Sequence, residues 1–112
     1  MQFSAPGEFV VFTKHSQMKM RQYSLSQSRV KRILRYPKRE EAGIARGTIA
    51  AMIPSGTKKR PSEIWMMYKL TREKKVKVIS AWRYPGVTKE GEAPPIPQDI
   101  LRELIREYGL KA

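Results

Sequence analysis

From Phe9 to Arg39 the chain carries nine lysines and arginines and not one aspartate or glutamate. A segment of that kind must fold so that its like charges spread over a surface, the ordinary place for lysine and arginine. There they repel one another at low salt unless an anionic partner neutralises them. The same stretch holds the only histidine of the protein, His15. Dense positive charge around a single imidazole points to a phosphate-rich partner and to chemistry on it.

The 112 residues are enough for one domain with a modest core and too few for two. Phe9 to Phe12 form an apolar run behind the breakers Pro6 and Gly7, which predicts a first strand over residues 8–13. Thr13 can cap a short helix over 14–23. Ser26 can cap a second over 26–36, with Leu25 and Val30 as a hydrophobic staple and Pro37 as its end. Three segments rich in β-branched and aromatic residues, 44–53, 63–71 and 76–83, predict an antiparallel meander. The stretch from Pro54 to Pro61 reads as a hairpin loop and 72–75 as a tight turn. A Pro/Gly-rich linker over 85–96 leads to a C-terminal helix over 97–109, where Ile100, Leu101, Leu104, Ile105 and Tyr108 recur at helical spacing. The expected fold is α+β, a single domain over 1–112 with its core in 8–84, an antiparallel sheet with helices packed on one face, plus the C-terminal helix.

The formal charge of +13 is uneven: from Val87 onward four basic residues face five acidic ones, so the positive field belongs to the first part of the chain. Nucleic acid is the expected partner, with an acidic membrane surface or an acidic protein as the other classes that such charge can serve. The absence of cysteine excludes disulfides and thiolate metal sites. One histidine among scattered carboxylates argues against a transition-metal centre, and no cofactor motif is present. No apolar run reaches the ~18 residues of a membrane span, and no secretory signal opens the chain. A cytoplasmic protein is the expectation.

The run from Thr13 through His15, Lys19, Met20, Arg21 and Tyr23 to Leu25 and Ser26, followed by Val30, Leu34, Tyr36 and Pro37, resembles an uncharacterised bacterial and phage family. That family lies on the fringe of the RelE/ParE/BrnT toxin superfamily. The stretch from Val76 through Ser80 and Ala81 to Arg83 is similar to the last strand of BrnT-like toxins. The likeness covers residues 9–84. It implies a RelE-like small curved antiparallel sheet with two N-terminal helices and a C-terminal helix, a metal-independent endoribonuclease activity of the mRNA-interferase type, and an antitoxin protein as partner. Lys19 stands where relatives more often have arginine, and Tyr23 where many have a second one.

Metal-independent RNA cleavage needs a base for the 2′-hydroxyl, cations for the phosphorane and a proton donor for the leaving oxygen. His15, Lys19 and Arg83 are the candidate catalytic residues. His15 falls at a helix N-terminus among cations, where neutral imidazole is favoured, and Lys19 follows it by one helical turn. A lone histidine can equally cap or pack. Arg83 could clamp a phosphate bidentately or form an ion pair with Glu63 or Glu73. Arg21, Arg29, Arg32 and Arg35, the Lys58, Lys59 and Arg60 loop, and Tyr84 are the expected nucleic-acid contacts. Trp82 is expected in the core, with base stacking as the opposite assignment. Two functions follow: a toxin-like endoribonuclease acting on free or ribosome-bound mRNA, or a non-catalytic RNA-binding or ribosome-associated module on the same scaffold.

Overall fold

A computed structural model of the protein describes residues 9–71 and 75–108. The elements run β1 (Val10–Phe12), α1 (Lys14–Gln22), α2 (Gln27–Arg35), β2 (Arg39–Ala42), β3 (Thr48–Gly56), β4 (Pro61–Leu70), β5 (Val76–Tyr84) and α3 (Gln98–Tyr108). The sheet has five strands in the order β1-β5-β4-β3-β2. β2 through β5 form the antiparallel meander, and β1 adds to β5 in parallel. The α+β class is therefore as expected, and the parallel edge strand is an addition to it.

Both early helices start where their caps dictate. The Thr13 hydroxyl accepts from the Ser16 N–H at 3.0 Å, and the Ser26 hydroxyl accepts from the Arg29 N–H at 3.1 Å. Leu25 and Val30 join one core, as a staple should. Between the helices the chain turns through Ser24 at φ 57°, a left-handed residue that is not glycine. Ser24 N–H donates to Arg21 C=O at 3.2 Å and Leu25 N–H to Met20 C=O at 2.7 Å, the paired bonds of a Schellman ending. Met20 and Leu25 pack in the same core, which supplies the apolar contact that accompanies this motif.

Three expectations need correction. The segment 39–42 is a strand, although Glu40 and Glu41 suit an edge and gave no apolar pattern. The strand expected at 44–53 is displaced to 48–56, because residues 43–47 form the turn from β2. Pro54 and Pro61 lie inside β3 and β4, so the loop shrinks to 57–60. Gly56 is required at that tip, since at φ 78° a Cβ would meet the Arg60 carbonyl oxygen at 2.3 Å. Of the expected turn at 72–75 and the helix end at 109, residues 72–74 and 109 fall outside the described residues.

The helices cover both faces of the sheet, α2 on one and the C-terminal helix α3 on the other. α2 packs with Ala51, Ile64, Met66, Tyr68, Val76, Val78 and Ala81 on one side. α3 packs through Ile100 and Leu104 against Ala50, Met52, Trp65, Met67, Ile79 and Trp82 on the other. Trp82 is fully buried, in line with its expected core place, and stacks on Trp65 with centroids 6.3 Å apart and planes 7° from parallel. Such pairs contribute about 0.5–1.5 kcal/mol beyond their burial.

α1 packs against β5. β1 pairs only with Val76 to Val78, and Thr13 then donates from its N–H to the Val78 carbonyl and from its hydroxyl to the Ile79 carbonyl. The helix thus begins where the parallel pairing stops.

The connector before α3 is fastened by a buried polar knot. Glu63 accepts from Trp65 Nε1 at 3.0 Å, from the Thr88 hydroxyl at 2.8 Å and from the Thr88 N–H at 3.0 Å. Arg39 lies over the Trp65 ring at 5.2 Å and donates to the Thr88 hydroxyl and to Glu41. The Gly91 N–H and Arg39 together hold the Glu41 carboxyl below its ordinary range.

The Ser24 turn yields a stability prediction. Glycine has no Cβ to strain a left-handed residue, at some cost in unfolded-state entropy. Ser24→Gly is expected to raise stability by roughly 0.5–1 kcal/mol in urea unfolding. An unchanged or lowered midpoint would show that the Ser24 side chain contributes more than its backbone strain costs.

Candidate nucleic-acid interface

α2 buries Val30, Ile33 and Leu34 and turns its remaining surface outward. A groove of about 640 Å³ lies between this outer face and β3, lined by Ser28, Arg29, Lys31, Arg32, Arg35, Tyr36 and Ile53. Arg29, Arg32 and Arg35 are exposed. Among the described residues, none of these three or Lys31 forms an ion pair or side-chain hydrogen bond. Tyr36, at the helix end, leaves 71% of its surface open, a ring beside cations that the sequence reading did not assign to the site. Four cations, one open aromatic ring and an apolar floor form an arrangement that suits a phosphate backbone with unstacked bases.

The expected catalytic trio is divided. His15 and Lys19 do share one side of α1, as their spacing predicts, but that side faces α3. His15 Nε2 lies 3.1 Å from Ser80 Oγ, and Nδ1 pairs with the Glu103 carboxylate, off the direction of an ideal hydrogen bond. Lys19 pairs with Asp99 and donates to Gln22 at 3.1 Å. Its ammonium holds the Asp99 carboxyl below the usual carboxylate range. The i, i+4 pair on α1 thus meets the i, i+4 pair Asp99 and Glu103 on α3. His15 is surrounded by a carboxylate as well as cations, and Lys19 is buried rather than solvated.

Ser80, His15 and Glu103 follow the hydroxyl–imidazole–carboxylate order of a nucleophilic triad. Ser80 has no exposed surface, however, so no substrate reaches its oxygen as the helices stand. The arrangement joins three elements instead: β5, α1 and α3. Among the described residues, no three histidine, cysteine, aspartate or glutamate side chains group as metal ligands. No helix there is long and apolar enough to cross a membrane.

Arg83 leaves β5 on the opposite face. Its cross-strand partner Ile64 belongs to the α2 core, whereas Ser80 opposes Met67 of the α3 core. Its guanidinium donates to the Tyr23 carbonyl at 3.2 Å and approaches Ser55 Oγ at 3.5 Å. Glu63, one of its two expected ion-pair partners, is engaged by Trp65 and Thr88, and Glu73 lies outside the described residues. Tyr84 is half-buried beside Arg83, while Arg21 and the Lys58–Arg60 tip are exposed. Of the residues expected to bind nucleic acid, Arg29, Arg32 and Arg35 come together in the α2 groove, and Arg21, Lys58, Lys59, Arg60 and Tyr84 do not line it.

The Lys19–Asp99 pair sets a pH dependence with a definite sign. A carboxyl whose folded-state pKa is depressed stabilises fully above its unfolded value of about 4, and that contribution disappears as pH falls through the folded value. Wild-type protein is expected to lose more thermal stability between pH 6 and pH 3 than Asp99→Asn. Parallel losses in the two proteins would mean that the pair contributes nothing to folding. Against known protein families, characterised sequences and solved structures, the chain gives no significant match.

Proposed function

We propose that the protein is an RNA-binding module whose working surface is the cationic groove of α2. The observation that supports this most is the set of four basic side chains without counter-charges among the described residues, beside an exposed tyrosine, in a protein of net charge +13. Contacts of this type neutralise phosphates and release counterions, so affinity falls steeply with salt. Single strands suit the groove better than duplex, because an open ring can stack only on a base that is itself unstacked.

In a fluorescence-anisotropy titration with a labelled single-stranded RNA, log K is expected to fall linearly with log salt. Arg29→Gln, Arg32→Gln and Arg35→Gln combined should flatten that slope by about 2 for single-stranded RNA. An unchanged slope in a folded triple variant, or no binding by the wild type at low salt, would refute the proposal.

The toxin-like endoribonuclease remains a second reading, favoured by one specific observation: His15 and Lys19 stand one turn apart on the same side of α1, in contact with Ser80, Glu103 and Asp99. For that cluster to meet RNA, α3 must move off it, and an antitoxin would belong to this reading as the partner that governs the movement. Cleavage of single-stranded RNA by the wild type, abolished by His15→Ala and increased by Asp99→Asn with Glu103→Gln, is the result this reading requires. Intact RNA with all three proteins, at concentrations where it is fully bound, leaves binding alone as the function.

A further inference from the structure

At the end of β5, a second hollow of about 510 Å³ is bordered by Tyr23, Arg83, Tyr84, Pro85, Ile96 and Pro97. Its walls are rings and prolines, and its one strong charge is Arg83. That guanidinium is partly buried and has no carboxylate partner among the described residues. Its fixed contact is the Tyr23 carbonyl at the end of α1, which offers the partial negative charge of a helix C-terminus rather than a full counter-charge. Burial, and after it the nearby Asp99 carboxylate, raise the Tyr23 phenol above its ordinary range, and that carboxylate is itself held by Lys19. A half-buried cation fixed in place and left unneutralised is a seat for an anion. Flanking tyrosines and prolines are surfaces for a planar ring.

The hollow is also in line with the α2 groove. Ile53, which lines that groove, pairs across the sheet with Ile64, and Ile64 pairs with Arg83. The three form one row on one face, two strand spacings or about 10 Å from end to end.

Resting on the RNA-binding reading, we infer that the hollow takes one nucleotide of the bound single strand, its base against Tyr23 and Tyr84 and its phosphate on Arg83. The backbone then continues toward the α2 cations. A volume of about 510 Å³ lies within the usual range for small-molecule sites and leaves room for one such unit.

The test compares a single-stranded 12-mer, the same strand with abasic sugars, and a duplex, using Tyr84→Leu, Tyr84→Phe and Arg83→Gln. Leucine keeps apolar bulk where Tyr84 meets the α3 core, and phenylalanine keeps the ring. Tyr84→Leu should weaken binding to the base-bearing strand about tenfold, leave the abasic strand and duplex within twofold, and be matched by wild-type affinity in Tyr84→Phe. Arg83→Gln should weaken the base-bearing and abasic strands alike.

Equal effects of Tyr84→Leu on all three ligands would overturn the inference while leaving the α2 surface intact. Binding of none of the ligands by the wild type would instead remove the reading on which it rests. A titration with 5′-AMP separates the two sources of a nucleotide. Millimolar binding that shifts the Tyr84 ring resonances fits one unit of a strand, whereas affinity equal to that of the 12-mer would assign the hollow to free nucleotides and overturn its place in an RNA track.

Discussion

Burial of β4 on both faces is the constraint from which the rest of the architecture follows. From Glu63 to Tyr68 every side chain is withdrawn from solvent, alternately toward α2 and toward α3. A short protein can cover both sides of a sheet only by committing helices to each, and α2 and α3 are those covers. The polar Glu63 at the start of this run is tolerated because its oxygens are hydrogen-bonded by Trp65 and Thr88. The same bonds hold the connector that delivers α3 to its face.

Charge follows a similar division of labour. The acid-free early segment cannot neutralise its own cations, and the structure treats them in two ways. Lys19 and His15 meet Asp99 and Glu103 from α3, and Arg39 meets Glu41. The α2 cations meet no such partner among the described residues. The near-neutral C-terminal part therefore supplies internal counter-charge to one helix and withholds it from the next. This is why the groove, rather than the histidine cluster, carries the open positive field.

Much of the fold was legible because it is written in local chemistry. Thr13 and Ser26 mark helix starts through their hydroxyls, Leu25 and Val30 form a staple, and the runs of β-branched and aromatic residues in β4 and β5 mark strands. β2 escaped because an edge strand of Arg39, Glu40, Glu41 and Ala42 has no apolar period to read. The i, i+4 relation of His15 and Lys19 was also legible, whereas their partners were not. Asp99 and Glu103 lie some eighty residues away in sequence, and nothing local links one helix face to another across that separation. Arg83 was assigned to the same cleft as His15 by the types of chemistry they could share, which says nothing about the side from which each leaves the sheet.

That side is set by one irregularity. Opposite Met67 and Tyr68 of β4, β5 presents Ser80 and Val78, so Ile79 is an extra residue in the ladder. Strict alternation would carry the parity of Val76 and Val78 through to Ser80 and Trp82; the inserted residue reverses it. Val76 and Val78 therefore answer to the α2 core, and Ser80 and Trp82 to the α3 core. The even-numbered residues of the strand thus change faces at Ile79, and the same inserted residue carries Ala81 and Arg83 to the α2 side.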